Sequence, residues 1–219
     1  MTQTHYAYYP VFNCLETAEQ DAGALAHEVE VLFKEFDDRL TVRGTYSTAG
    51  FREDADLMMW WVTRSAEDVQ EAIRAFRHTE LGKLLVLSYS FLGVSRPPET
   101  APDHVPAFLR GEQPKRYLCV YPFVRSPDWY LLPGEERSEL LRVHGEMGRE
   151  YPGVLANTTS AFGLNDWEWI LAFESDDLPE LVDCIRHLRG SESRRYVQSE
   201  TPFVTGVRKD LVEAIRDFA

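Results

Sequence analysis

Residues 8–12, YYPVF, return 112 positions later as VYPFV at 120–124. The same offset carries VRGTYSTAGF (42–51) onto VLANTTSAFG (154–163). MMWWVTRSAED (58–68) resembles WEWILAFESDD (167–177), and IRAFRHTELGK (73–83) resembles VDCIRHLRGSESR (182–194). In the last pair Arg77-His78 stands against Arg186-His187 at an offset of 109, a drift that a few residues of loop explain. A chain that repeats itself in this way builds one supersecondary unit twice.

Each copy reads in the same order. A strand of aromatic and β-branched residues (5–13; 116–125) is followed by a helix (16–36; 134–151). Two strands joined by a polar turn come next (40–51 and 56–64; 154–163 and 167–174), then a second helix (66–78; 178–189) and a short final strand (84–91; 201–207). That is the ferredoxin-like β-α-β-β-α-β pattern, duplicated, so the expected fold class is α+β. Two such units can set their sheets side by side or close them into a barrel, with the helices outside. The expected divisions are an N-terminal repeat (1–93), an inter-repeat linker loop (94–114) and a C-terminal repeat (115–219). The linker is rich in proline and polar residues, yet carries the apolar run Val105 to Leu109 beside His104, which predicts docking over a cavity.

Residues shared by both copies serve the architecture, so residues confined to one copy are the better functional candidates. His144 falls on the apolar stripe of its helix with Leu140, Met147 and Tyr151, whereas the first copy has Leu32 there. Arg125 stands against Asn13, and the Trp129-Tyr130 segment has no close counterpart. The pocket is therefore expected in the second copy. His78 and His187 recur at matched positions and read as structural. Trp60, Trp61, Trp167 and Trp169 lie on strands, where aromatic residues commonly form core.

A net charge of −13 argues against nucleic acid and against an anionic membrane face, but leaves room for a local basic pocket. No run of 18 apolar residues is present, and the first residues lack the charged and apolar regions of a signal peptide. Cys14, Cys119 and Cys184 sit in apolar segments without metal-ligand spacing and read as reduced core residues, so a cytoplasmic location is expected. Glycine-rich phosphate loops, GxSxG, HExxH and CxxC are all absent. What remains is a helical histidine on an apolar face, a loop histidine and a Tyr-x-Phe-x-Arg strand. An imidazole in an apolar pocket is one way to hold haem-type iron.

The stretch YPFVRSPDWYLLPGEERSELLRVHGEMGREYPGVLANTTSAFGLNDWEWILAFESDDLPELVDCIRHLR resembles the actinobacterial branch of the coproheme decarboxylases, in the chlorite-dismutase-like superfamily. The resemblance is close from Tyr117 to about Gly206 and looser before it. It implies a dimeric α+β barrel formed by two ferredoxin-like repeats in one chain, with the haem/coproheme site in the C-terminal repeat. It also implies a homopentamer and transient contact with coproporphyrin ferrochelatase. The implied reaction is hydrogen-peroxide-dependent decarboxylation of iron coproporphyrin III at propionates 2 and 4 to give haem b. By the same resemblance His144 is the iron ligand, Tyr121 the radical tyrosine and His104 the distal base for peroxide. Arg125 and Trp129 lie near a propionate, Phe123 lines the pocket and Trp169 packs near the iron-ligand side. Asn157 falls where chlorite-degrading relatives carry a distal arginine. Chlorite breakdown, peroxidase activity on bound haem and haem binding without catalysis are the alternatives. Gly145, beside His144, is expected to let a flat macrocycle approach the helix.

Overall fold

The computed structural model describes residues 4–15, 21–95 and 105–218. In chain order the first half gives β1 (Tyr6–Cys14), α1 (Ala22–Lys34), β2 (Leu40–Arg52), β3 (Ala55–Thr63), α2 (Ala66–Phe76), α3 (Glu80–Leu84) and β4 (Leu85–Val94). The second half gives β5 (Tyr117–Arg125), α4 (Pro127–Leu131), α5 (Gly134–Arg149), β6 (Leu155–Ser160), β7 (Trp169–Ser175) and α6 (Leu178–Leu188). Then come β8 (Val197–Ser199), β9 (Val204–Arg208) and α7 (Leu211–Arg216). Short 3-10 turns cover Ala107–Leu109 and Glu192–Tyr196. The duplicated order holds; α3, α4 and α7 are additions that helical periodicity is too short to reveal.

By packing, the chain divides into two compact units, Met1–Ser95 with Val204–Ala219, and Arg96–Phe203. In the first unit β4, β1, β3 and β2 form consecutive antiparallel neighbours, the ferredoxin-like order, and β9 adds to β2 through Tyr46 opposite Arg208. The core holds Phe12, Trp61 and Phe76 from the repeat, together with Leu211, Ala214 and Ile215 of α7. The packing boundary thus differs from the repeat boundary. The strand expected to finish the second copy pairs with β2, because Gly206 lets the two backbones close up: a Cβ there would lie 2.9 Å from the Tyr46 Cβ. Local chemistry sets the helix starts. Ser65 accepts the Asp68 N–H at 3.2 Å to cap α2, and Thr79 accepts the Gly82 N–H at 3.0 Å to cap α3.

In the second unit β6 pairs with β7, β7 with β5, and β5 with β8, all antiparallel. Side chains alternate across a sheet, and residues in register share a face. Tyr121 opposes Leu171 and Phe123 opposes Trp169, so Cys119, Tyr121, Phe123 and Arg125 of β5 share a face with Trp169, Leu171 and Phe173 of β7. Leu181, Ile185 and Leu188 of α6 pack on that face. Helix α5 differs: it has no fully buried residue, and His144 is half-buried. Of its apolar stripe, His144 borders a cleft.

Candidate active site

The cleft lies wholly within the second unit, half open to solvent, with about 500 Å³ of empty space counting the solvent at its mouth. Its walls include Tyr121, Phe123 and Arg125 of β5, His144 of α5 and Leu188 of α6. Arg189, Ser193, Arg194, Val197 and Glu200, from the segment after α6, complete it. Period-two spacing on a rigid strand puts the phenol, the phenyl ring and the guanidinium in one row.

Arg125 is held on every side. Its Nη1 donates to the Ser193 carbonyl at 2.9 Å, and its guanidinium lies 4.0 Å from the Trp129 ring centre and 4.9 Å from that of Phe123. Its backbone N–H donates to Glu168 at 2.8 Å, and the same carboxylate accepts the Tyr130 hydroxyl at 2.5 Å. Burial lowers the pKa of Arg125 to about 10, so it remains a cation at neutral pH. Trp129, mounted by α4, stands behind it. Trp169 stacks behind Phe123, ring centres 6.2 Å apart.

Tyr121 is buried, stacked on Phe203 at 4.4 Å and edge-on to Phe173 at 5.9 Å. Desolvation drives its pKa well above the ordinary phenol value, partly offset by the charges of Arg189 and Arg194. His144 shifts the other way. Desolvation, then the charge of Arg125, lowers its pKa, so the imidazole is neutral at neutral pH. Its Nδ1 lies 3.4 Å from the Ser193 Oγ, which itself pairs with the Ser191 Oγ at 3.0 Å. Ser193 is therefore the group beside Nδ1, and Nε2 is the ring nitrogen that could hold a metal. Glu200 pairs with Arg189 and with Arg194, the latter at 2.6 Å.

Of the expected site residues, Tyr121, Phe123, Arg125 and His144 meet in the cleft, with Trp129 and Trp169 one layer behind. Asn157 does not join them. It opposes Ala172, so it lies on the other face of the sheet from Tyr121, and it is fully buried. Its Oδ1 accepts the Phe108 N–H at 2.9 Å, and its Nδ2 donates to Ala172 O and to Glu174, both at 3.1 Å. It secures the linker's 3-10 turn, which docks on β6. On β6 the residues sharing the Tyr121 face are Ala156, Thr158 and Ser160. His104 lies outside the described residues. Sequence reasoning missed Arg189, Arg194 and Ser193. The available signal was compositional: four arginines within 186–195 of a chain with net charge −13.

The donor set suits a flat, anionic, metal-bearing macrocycle. Phe123, Leu171, Ile185, Leu188 and Val197 offer apolar walls, three guanidiniums stand at the edge, and one neutral imidazole faces in. Fold and cleft together define an α+β protein of duplicated ferredoxin-like units with an imidazole- and guanidinium-lined cleft in the second copy.

The chlorite dismutase family model matches residues 22–209. A coproheme decarboxylase of Mycolicibacterium smegmatis is 45% identical over 194 residues, covering 88% of this chain and 84% of that protein. A coproheme decarboxylase of Thermus thermophilus is 32% identical over 188 residues, covering 80% and 74%. Among solved structures, a point mutant of chlorite dismutase from Candidatus Nitrospira defluvii superposes with a TM-score of 0.87 at 22% identity, covering 100% of this chain and 96% of that one. The chlorite dismutase of the same organism in complex with imidazole superposes with a TM-score of 0.86 at 22% identity, covering 98% and 94%. The chain belongs to the chlorite dismutase family. Its fold is that of these structures, α+β with two ferredoxin-like repeats in one chain, as the duplicated sequence pattern predicts.

Proposed function

We propose that this chain is a coproheme decarboxylase. It converts iron coproporphyrin III to haem b by removing the carboxyl groups of propionates 2 and 4, with hydrogen peroxide as oxidant. The observation that carries this reading is the convergence of Tyr121, Arg125 and His144 in one cleft with two further arginines. The 45% identity to a coproheme decarboxylase supports it. The iron of the substrate, once bound, supplies the redox chemistry with peroxide.

The chain's own residues bind, orient and move hydrogen. His144 is neutral and offers Nε2 to the iron, its ring steadied through Nδ1 by Ser193. Arg125, fixed by Ser193 O and two aromatic faces, takes one propionate carboxylate as a charge-assisted pair. Tyr121 keeps its proton at every working pH because burial disfavours phenolate. It serves as a hydrogen-atom relay: the peroxide oxidant takes up its phenolic hydrogen, the phenoxyl takes one from the propionate β-carbon, and the second oxidising equivalent of the same peroxide turns that carbon radical into a vinyl group and carbon dioxide, leaving two waters. The stacked ring of Phe203 holds the phenol in place. His104 is the base that takes the peroxide proton, a role carried by the family resemblance alone.

The test is a peroxide titration of the protein loaded with iron coproporphyrin III, followed by mass spectrometry. The expected result is loss of one and then a second carbon dioxide, ending at haem b. A substrate mass that never falls sinks the proposal. Oxygen release from chlorite would favour chlorite dismutation instead. We also propose a cytoplasmic homopentamer that receives its substrate by transient contact with coproporphyrin ferrochelatase; light scattering on the purified protein tests the subunit number. No helix among the described residues is long and apolar enough to cross a membrane.

A further inference from the structure

Among the described residues, Glu200 is the one carboxylate lining a cleft that carries three guanidiniums. Its side chain is 14% exposed, less than those of its partners Arg189 (36%) and Arg194 (39%). The anion thus sits deeper than the cations that hold it. Surface ion pairs are usually the reverse, with long flexible side chains meeting in solvent. The two arginines need an anion between them. Repulsion from Arg189, after desolvation, lowers the pKa of Arg194. Both guanidiniums also act on the Tyr121 phenol, and Arg189 lies 5.9 Å from the ring centre of Phe203, which stacks on Tyr121. The pair therefore borders the reacting phenol.

We infer that Glu200 is a built-in stand-in for a substrate carboxylate. It holds Arg189 and Arg194 in the cleft of the free protein and gives up at least one of them when a carboxylate-bearing macrocycle enters. This rests on reading the cleft as the substrate site. Two consequences follow. The free protein keeps its arginines ordered and partly neutralised. Entry of a carboxylate ligand also bears the work of breaking one of those pairs, which a ligand that leaves Glu200 in place does not.

Zinc coproporphyrin III, which is redox-inert and fluorescent, and its neutral tetra-amide separate the terms. Dissociation constants are measured for the wild type, Glu200→Gln and Glu200→Asp, with circular dichroism as the folding control. Glu200→Gln removes the competing anion without changing shape, so it should bind the tetracarboxylate about tenfold more tightly and the tetra-amide within about twofold of wild type. Glu200→Asp keeps the charge and should stay near wild type for both. Equal changes for both porphyrins, no change, weaker tetracarboxylate binding by Glu200→Gln, or tightening by Glu200→Asp would each overturn the inference. If Glu200→Gln does not fold, the wild type decides alone. The Nε–H resonances of Arg189 and Arg194 should move on adding the tetracarboxylate and stay still with the tetra-amide; unmoved signals with both overturn it. If the wild type binds neither porphyrin, the substrate reading falls with it. If binding is normal but indifferent to Glu200, only the inference falls.

Discussion

At the scale of single residues, the cleft works by separating protonation states. Burial holds Tyr121 protonated and His144 unprotonated a few side chains apart. Tyr121→Phe keeps the ring that stacks on Phe203 and removes only the hydroxyl. It should bind iron coproporphyrin III as the wild type does and release no carbon dioxide, read by binding titration and by mass spectrometry. His144 gives a pH signature. Its folded pKa lies below the ordinary imidazole value of about 6.5, so as pH falls below that value the unfolded chain takes up the proton first. Stability should therefore be full above about pH 6.5 and decline as pH falls toward the folded pKa. His144→Gln should flatten that decline, seen as a urea midpoint that no longer drops across the same window.

At the scale of elements, α5 is the informative helix. Its surface carries Arg142 bridging Glu139 at 2.7 Å and Glu146 at 2.5 Å, pairs that steady an exposed helix. Its inner face has the half-buried His144 and two glycines. A Cβ at Gly145 would meet only the Arg149 Nη1, at 3.8 Å, so packing does not require glycine there. Gly145→Ala should raise the stability of the ligand-free protein by about 0.5–1 kcal/mol through helix propensity. If the glycine makes room for the macrocycle, the same change should weaken porphyrin binding; unaltered binding would refute that role. The end of α5 is tied down differently. Glu180 of α6 accepts the Gly153 N–H at 3.2 Å, and a Cβ at Gly153 would strike that carboxylate. Gly153→Ala should cost about 1 kcal/mol by denaturant titration. His187, set aside as structural on sequence grounds, packs against Tyr151 with ring centres 5.6 Å apart.

At the scale of the whole molecule, the last residues of the chain serve the first unit. Leu211, Ala214 and Ile215 of α7 are buried with Trp61 and Phe76, and β9 pairs with β2. Truncation after Phe203 should unfold or severely destabilise the first unit, because removing several buried side chains at once costs more than the few kcal/mol of one large-to-small core change. Near-ultraviolet circular dichroism reads this directly, since Trp60 and Trp61 lie in the first unit. An intact thermal transition after truncation would contradict it. Charge is also a property of the whole. The net charge of −13 is global, while the segment around Arg189 to Arg195 gathers cations at one place. The overall figure thus argues against partners such as nucleic acid without describing the cleft.

The sequence by itself determined what depends on local period and on duplication. The repeat defines two ferredoxin-like units, and the substitution of imidazole for Leu32's counterpart singles out the second. Alternation along β5 puts Tyr121, Phe123 and Arg125 on one face, since side chains of a strand repeat every two residues. Only the tertiary structure decided pairing and register. Register turns Asn157 away from the cleft, although a shift of one residue would have turned it in. Folding of the segment after α6 brings Arg189, Ser193, Arg194 and Glu200 against His144 and Tyr121. Strand pairing also gives β9 to the first unit. These choices join residues far apart in the chain, where no periodicity reaches and only the fit of side chains and backbone hydrogen bonds selects the partner.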